Sequence, residues 1–141
     1  MNINVVNKSD NPLPNYARDG DAGMDICSAE DEHIPPFNWK AISTGIYVEI
    51  PDGYEIQIRS RSGLAFKHGI AVLNSPGTID SGYRGEIKVI LKNNDHIKYN
   101  VNKGDRIAQM VVAPITTATL TEVAELSDSE RGEGGLGSTG V

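Results

Sequence analysis

The stretch IYVEIPDGYEIQI, residues 46–58, decides the fold class. Ile46, Val48 and Ile50 fall on one face, with Tyr47 and Glu49 on the other. After Pro51-Asp52-Gly53, residues Tyr54, Ile56 and Ile58 alternate with Glu55, Gln57 and Arg59. A period of two is the period of a strand, and Pro-Asp-Gly is turn chemistry. The stretch therefore predicts a β-hairpin closed by a three-residue loop. Farther along, Ile87, Val89 and Leu91 alternate, then Ile97, Tyr99 and Val101, then the run Ile107 to Val112. Asn93-Asn94-Asp95 and Asn102-Lys103-Gly104 separate them as turns. Short strands spaced by turn signals predict an all-β sandwich or barrel.

Helix signals are weak. Leu64 to His68 predicts one or two turns, stopped by Gly69, and Thr119 to Leu126 predicts a strand from its Thr and Val content. From Ser127 the chain turns polar and then Gly-rich, RGEGGLGSTGV, the composition of a mobile arm. The predicted organisation is one core over residues 1–126, with 127–141 as an arm and not a second domain.

The 141 residues fit a single domain. No apolar run reaches membrane-spanning length, and the N-terminal MNINVVNKSD has no secretory pattern, so the expectation is a cytoplasmic protein with no membrane partner. A net charge of −6, from 19 acidic and 13 basic residues, argues against direct nucleic-acid binding through clustered cations. A single cysteine, Cys27, excludes an internal disulfide and a multi-cysteine zinc site; it reads as a small buried apolar residue. His33, His68 and His96 share no metal-ligand spacing. There is no GxxxxGK[ST] phosphate loop. Gly132, Gly134 and Gly137 match GxGxxG, but the dinucleotide reading needs a strand before and a helix after.

Five segments are rich in functional residue types and poor in packing residues: DAGMDI at 21–26, RSGLA at 61–65, NSPGTIDSGYRGE at 74–86, GDRIAQ at 104–109 and RGEGGLGSTG at 131–140. Arg61-Ser62-Gly63 combines a fork of donors, a hydroxyl and a residue that lets an anion approach the backbone, though an exposed charged turn has the same letters. Asn74 to Glu86 reads as a plain hairpin with a long turn, or as a pocket whose backbone N–H and C=O groups meet a planar base. Asp80 is a turn-stabilising residue or a carboxylate that activates water. Tyr83 is a packed strand aromatic or a ligand platform.

In order and spacing, the five segments resemble the signature segments of the deoxyuridine triphosphate nucleotidohydrolases, the dUTPases, over roughly residues 20–140. The resemblance implies an all-β, jelly-roll-like (β-clip) homotrimer with active sites at subunit boundaries and the arm reaching a neighbour's site. It implies the reaction dUTP + H₂O → dUMP + pyrophosphate, which limits uracil incorporation into DNA and supplies dUMP for thymidylate synthesis.

The resemblance also assigns roles. Asn74 and the backbone around Thr78 and Ile79 would read uracil. Asp80 would be the base for water, and Tyr83 would lie under the deoxyribose, where a 2′-hydroxyl collides. Lys88 would contact substrate; Arg61, Ser62, Gly63 and Gln109 would approach the phosphates. Asp25 would stand near Mg²⁺, reached through water, with the ion held mainly by substrate phosphates. From the arm, Arg131 would reach the γ-phosphate, Leu136 would cover the base, and Gly137, Ser138 and Thr139 would close over the phosphates. Arg106 is expected to pair with an Asp such as Asp25 or Asp105. Met24 and Leu136 stand where Tyr and Phe are usual in the family; Leu136 covers a base by apolar contact but cannot stack as a ring does. Two rivals remain: a dCTP deaminase of the same fold, against which GTIDSGYRGE and the Gly-rich arm argue, and a dUTPase-like regulatory binding protein.

Overall fold

The computed structural model describes residues 1–140. Among them are eleven strands and one helix, in the order β1 (Asn4–Asn7), β2 (Met24–Cys27), β3 (Glu32–Ile34), β4 (Trp39–Ser43), β5 (Ile46–Glu49), β6 (Tyr54–Arg59), α1 (Ser62–His68), β7 (Ile70–Val72), β8 (Gly77–Ile79), β9 (Lys88–Asn93), β10 (Tyr99–Val101) and β11 (Arg106–Pro114). The expected all-β class holds. The strands form a four-stranded sheet, β2-β11-β6-β8, a three-stranded sheet, β4-β9-β7, and the pairs β1-β5 and β10-β3. Every one of these pairings is antiparallel.

The period-two apolar residues point into one core. Ile26, Ile34, Ile42, Ile56, Ile87, Val89 and Leu91 are essentially inaccessible. Register sets them across from one another: Ile42 opposite Val89, Val72 opposite Leu91, Ile58 opposite Met110. β-branched side chains suit a pleated surface packed on one face, which is why an isoleucine-rich chain settles here. The buried polar groups are all satisfied. Asn93 donates to the carbonyls of Ile34 and Ile97 at 3.1 and 2.8 Å and accepts from the Asp95 N–H at 2.9 Å, so the expected Asn-Asn-Asp turn is fastened from inside the core.

Four expectations are corrected. Residues 46–50 and 54–58 do form strands, but not a hairpin: β5 pairs with β1, whereas β6 pairs with β11 and β8. Pro51-Asp52-Gly53 carries the chain from one sheet to another, because the apolar faces of both strands are needed on the core and each finds a different neighbour. Similarly, β8 bonds to β6 and not to β9, so Asn74 to Glu86 is a crossing loop and not a hairpin. Thr119 to Leu126 forms no strand: every residue from Ile115 to Arg131 is exposed. It lies beside no strand edge to supply its hydrogen bonds. Cys27 is half-buried rather than fully enclosed, and burial followed by the nearby Asp25 carboxylate pushes its thiol pKa up.

The short helix is as expected. α1 ends at Gly69, whose φ of 64° is the left-handed conformation that glycine adopts without a Cβ penalty, and its N–H returns to the carbonyl of Ala65 at 3.0 Å. Lys67 and His68 in the last turn complement the helix dipole.

Candidate functional site

The sequence-predicted residues gather in two places. The first is a cavity of about 650 Å³ lined by Ala41, Thr78, Ile79, Asp80, Tyr83, Glu86, Lys88 and Ile90. Its floor is the outer face of β4 and β9. Ile42, Val89 and Leu91 point into the core, so Ala41 and Ser43 with their partners Ile90 and Lys88 face outward. Its wall is the end of β8 and the turn after it, where the Tyr83 N–H donates to the Asp80 carbonyl at 3.0 Å. Asp80 thus projects from a tight turn at the cavity's edge.

The Tyr83 ring is held in this wall. Its hydroxyl donates to the Glu86 carbonyl at 2.8 Å. A Cβ on Gly85 would lie 2.5 Å from that hydroxyl oxygen, so glycine is what allows the ring to lie there. Arg84 clips the same turn, donating to the carbonyls of Ser81 and Tyr83 at 2.7 and 3.1 Å, and its guanidinium lies 3.4 Å from Glu49 on β5. Asn74 is not among the residues lining this cavity; its carboxamide lies against Gly77, the residue before Thr78 in β8.

The second place is the cluster around Asp25. Central strand β11 sets Gln109 beside both Asp25 of β2 and Arg59 of β6. Arg61 donates through Nε to Asp25 Oδ1 at 3.0 Å and through Nη1 to the Arg106 carbonyl at 3.2 Å. Arg106 Nη1 lies 3.5 Å from Asp25 Oδ2, one of the two pairings expected for it. Asp25 therefore holds two guanidinium groups at the mouth of the cluster. Gly23 packs against Gln109, where a Cβ would meet its Oε1 at 3.0 Å. Ser62 and Gly63 open α1 directly after Arg61, and nothing lies within 4 Å of where a Gly63 Cβ would be.

These two places are separate within one chain. Asp80 follows Ile79, whose partner Ile56 lies in the first half of β6, while Arg61 lies two residues past the other end of that strand, Arg59. The arm residues join neither place. Leu136 is fully exposed, Arg131, Gly137, Ser138 and Thr139 are exposed, and the Arg131 side chain bonds locally, to the Gly134 carbonyl at 2.8 Å.

Sequence reasoning missed Glu86 and Ser43. Glu86 was legible as a carboxylate inside a segment already singled out. Ser43, from a different strand, carried no signal. The Ser43 hydroxyl and the Gly45 N–H, the latter at 3.0 Å, both donate to Glu86 Oε1. Burial works to raise the Glu86 pKa, but the bonds from Ser43 and Gly45 and the nearby Lys88 charge outweigh it and hold it below the usual glutamate range.

Comparison with known proteins identifies the family. The family model for dUTPase matches residues 9–140. The deoxyuridine 5′-triphosphate nucleotidohydrolase of Clostridioides difficile is 54% identical, covering 99% of this chain and 98% of that one. That of Zymomonas mobilis is 53% identical over 92% of this chain and 89% of its own. Among solved structures, the Staphylococcus bacteriophage 80alpha dUTPase with dUPNHPP superposes with a TM-score of 0.91 at 34% identity, covering 99% of both chains. A mutant dUTPase from phage phi11 of S. aureus, whose structure details the coordination of a structural Mg(II) ion, has a TM-score of 0.83 at 30% identity, covering 91% of this chain and all of that one. Matched along nearly its whole length in both sequence and strand arrangement, the chain belongs to the dUTPase family.

Proposed function

We propose that this chain hydrolyses dUTP to dUMP and pyrophosphate, with Asp80 as general base. The observation that carries this reading is the cavity that sets Thr78, Ile79, Asp80, Tyr83 and Lys88 around one space. In this reading Asp80 orients a water and takes its proton as the water oxygen bonds to the α-phosphorus. The bond from that phosphorus to the bridging oxygen breaks, and pyrophosphate leaves. Water is a poor nucleophile at neutral pH, so a positioned carboxylate supplies what the reaction lacks. Thr78, Ile79 and the Asn74 carboxamide read the uracil edge, and Tyr83 packs under the sugar. A cytosine amino group or a thymine methyl group would leave buried polar atoms unpaired or clash, which discriminates strongly.

The residues fit a magnesium ion held mainly by substrate. Both Asp25 oxygens face guanidinium groups, and no cluster of three or more ligating side chains occurs among the described residues. In this reading the ion is carried on the substrate phosphates, with Asp25 reached through water. When bound, the ion neutralises charge on the triphosphate. Arg61, Ser62, Gly63 and Gln109 bind and orient the same phosphates.

The same reading makes the assembly a homotrimer with shared sites, and the separation of the two clusters within one chain supports it. Asp80 and Arg61 lie toward opposite ends of β6 within one chain, which supports a site completed by a second chain. A second subunit brings Arg61 and Gln109 of one chain to Asp80 of another, and the arm of residues 127–141, beyond the core of 1–126, reaches across to close the site. Light scattering is expected to give three times the 15.2 kDa chain mass, about 45 kDa. A fully active monomer would refute the shared site. In this reading the enzyme works in the cytoplasm; no helix among the described residues is long and apolar enough to cross a membrane.

The test of function is pyrophosphate release with dUTP, dCTP, dTTP and UTP side by side. Turnover of dUTP alone is expected; ammonia release from dCTP would instead identify the deaminase of the same fold. Tyr83→Ala is expected to shrink the preference for dUTP over UTP, and an unchanged ratio of kcat/KM values would place sugar reading elsewhere.

A further inference from the structure

Glu86 lines the cavity yet takes no part in the chemistry described above, and its contacts run to the two sides of the loop that matters. Its main-chain carbonyl accepts the Tyr83 hydroxyl. Its carboxylate accepts from the Ser43 hydroxyl at the end of β4 and from the Gly45 N–H in the turn before β5. The same turn is fastened again one residue on. Thr44, fully buried, donates its hydroxyl to the Ile87 carbonyl at 2.5 Å, and the Ile87 N–H donates to the Ile46 carbonyl at 2.8 Å. Ile87 itself is entirely buried. The 43–46 turn is therefore a fixed point of the core. Residues 80–86 belong to no strand pairing among the described residues.

We infer that Glu86 is a positioning residue for sugar discrimination: its carboxylate, held by Ser43 and Gly45, fixes the height of the Tyr83 ring above the cavity floor. Ring position depends on Glu86 because the hydroxyl that anchors the ring is bonded to the Glu86 backbone, three residues away. Tilting that backbone moves the anchor. Steric exclusion of one hydroxyl group tolerates little such movement, since an error of about 1 Å is enough to admit or exclude an oxygen atom. Arg84 constrains the Asp80–Tyr83 turn from the opposite side through Glu49, but that ion pair is exposed, and the half-buried carboxylate of Glu86 is the firmer hold. The inference rests on the reading that Tyr83 packs under the sugar.

The experiment compares kcat/KM for dUTP and UTP in the intact trimer and in Glu86→Ala, Glu86→Gln, Ser43→Ala and Tyr83→Ala, with thermal stability measured alongside. Glu86→Ala is expected to lower the dUTP-to-UTP preference by about tenfold or more. Glu86→Gln keeps an amide oxygen able to accept from Gly45, so it should restore most of the preference. Ser43→Ala should shift the ratio in the same direction as Glu86→Ala by a smaller factor, and it keeps the test alive should Glu86→Ala fail to fold. Lower stability with an unchanged ratio in Glu86→Ala and Ser43→Ala, while Tyr83→Ala collapses the ratio, overturns the role of Glu86. A ratio unmoved by Tyr83→Ala overturns the sugar reading itself.

Discussion

Replacing Asp80 by Asn will lower dUTP turnover by about 10²-fold or more, the scale of lost general-base help, while nucleotide binding persists. The substitution keeps the shape and hydrogen-bonding capacity of the side chain and removes only its ability to accept a proton. The fold has little stake in this carboxylate. Asp80 is exposed, and the turn it begins is closed by its main-chain carbonyl and the Tyr83 N–H, both of which the variant retains. Loss of activity at unchanged thermal stability, with a non-hydrolysable dUTP analogue still bound, is thus the expected result. Near-normal turnover in the purified variant would remove Asp80 from the mechanism.

Deleting residues 129–141 will leave a folded trimer that has lost most of its activity. The last core strand ends at Pro114, and Ser129 to Glu133 are exposed. Leu136 buries nothing within its own chain. The hydrogen bonds of this stretch are local, such as the Gly134 N–H to the Arg131 carbonyl at 3.1 Å and the Ser138 N–H to the Gly135 carbonyl at 2.9 Å. Nothing in the core therefore depends on the arm. Catalysis does, under the proposed mechanism, because the arm brings Arg131, Ser138 and Thr139 to the phosphates and excludes water. A loss of about 10²-fold or more is expected, the scale on which mispositioned substrate costs rate. Leu136→Phe tests the same arm from the other direction: a ring stacked on uracil should tighten ground-state binding by ~0.5–1.5 kcal/mol and slow product release. Turnover of dUTP in the three proteins, with melting temperatures alongside, decides the matter. A deletion variant as active as the intact chain would reduce the arm to an inert end.

The two kinds of candidate residue differed in how far they could be read in advance. Asp80, Tyr83 and Lys88 lie within fifteen residues of Asn74 and reach one cavity through a single crossing loop, so their association was visible in one segment. The pairing of Arg106 with Asp25 was visible as a choice between two aspartates, and the register of β11 on β2 made the choice. Ser43 was invisible, because its only link to the site is a hydrogen bond to a residue 43 positions later.

By itself the sequence determined the all-β class, the turns and the stop of the helix at Gly69, and it singled out the segments in which the proposed site residues lie. All of these are local: a period of two, a Pro-Asp-Gly, a glycine free to take positive φ, a cluster of polar residues with too little apolar surface to pack. Only the tertiary structure decided which strands are partners. Backbone hydrogen bonds along a strand edge are nearly the same for any sequence, so adjacency in the chain does not choose the neighbour. The choice is made by burying every apolar face at once, which sends residues 46–49 to β1 and residues 54–59 to β11 and β8. That choice in turn leaves Asp80 and Arg61 toward opposite ends of β6.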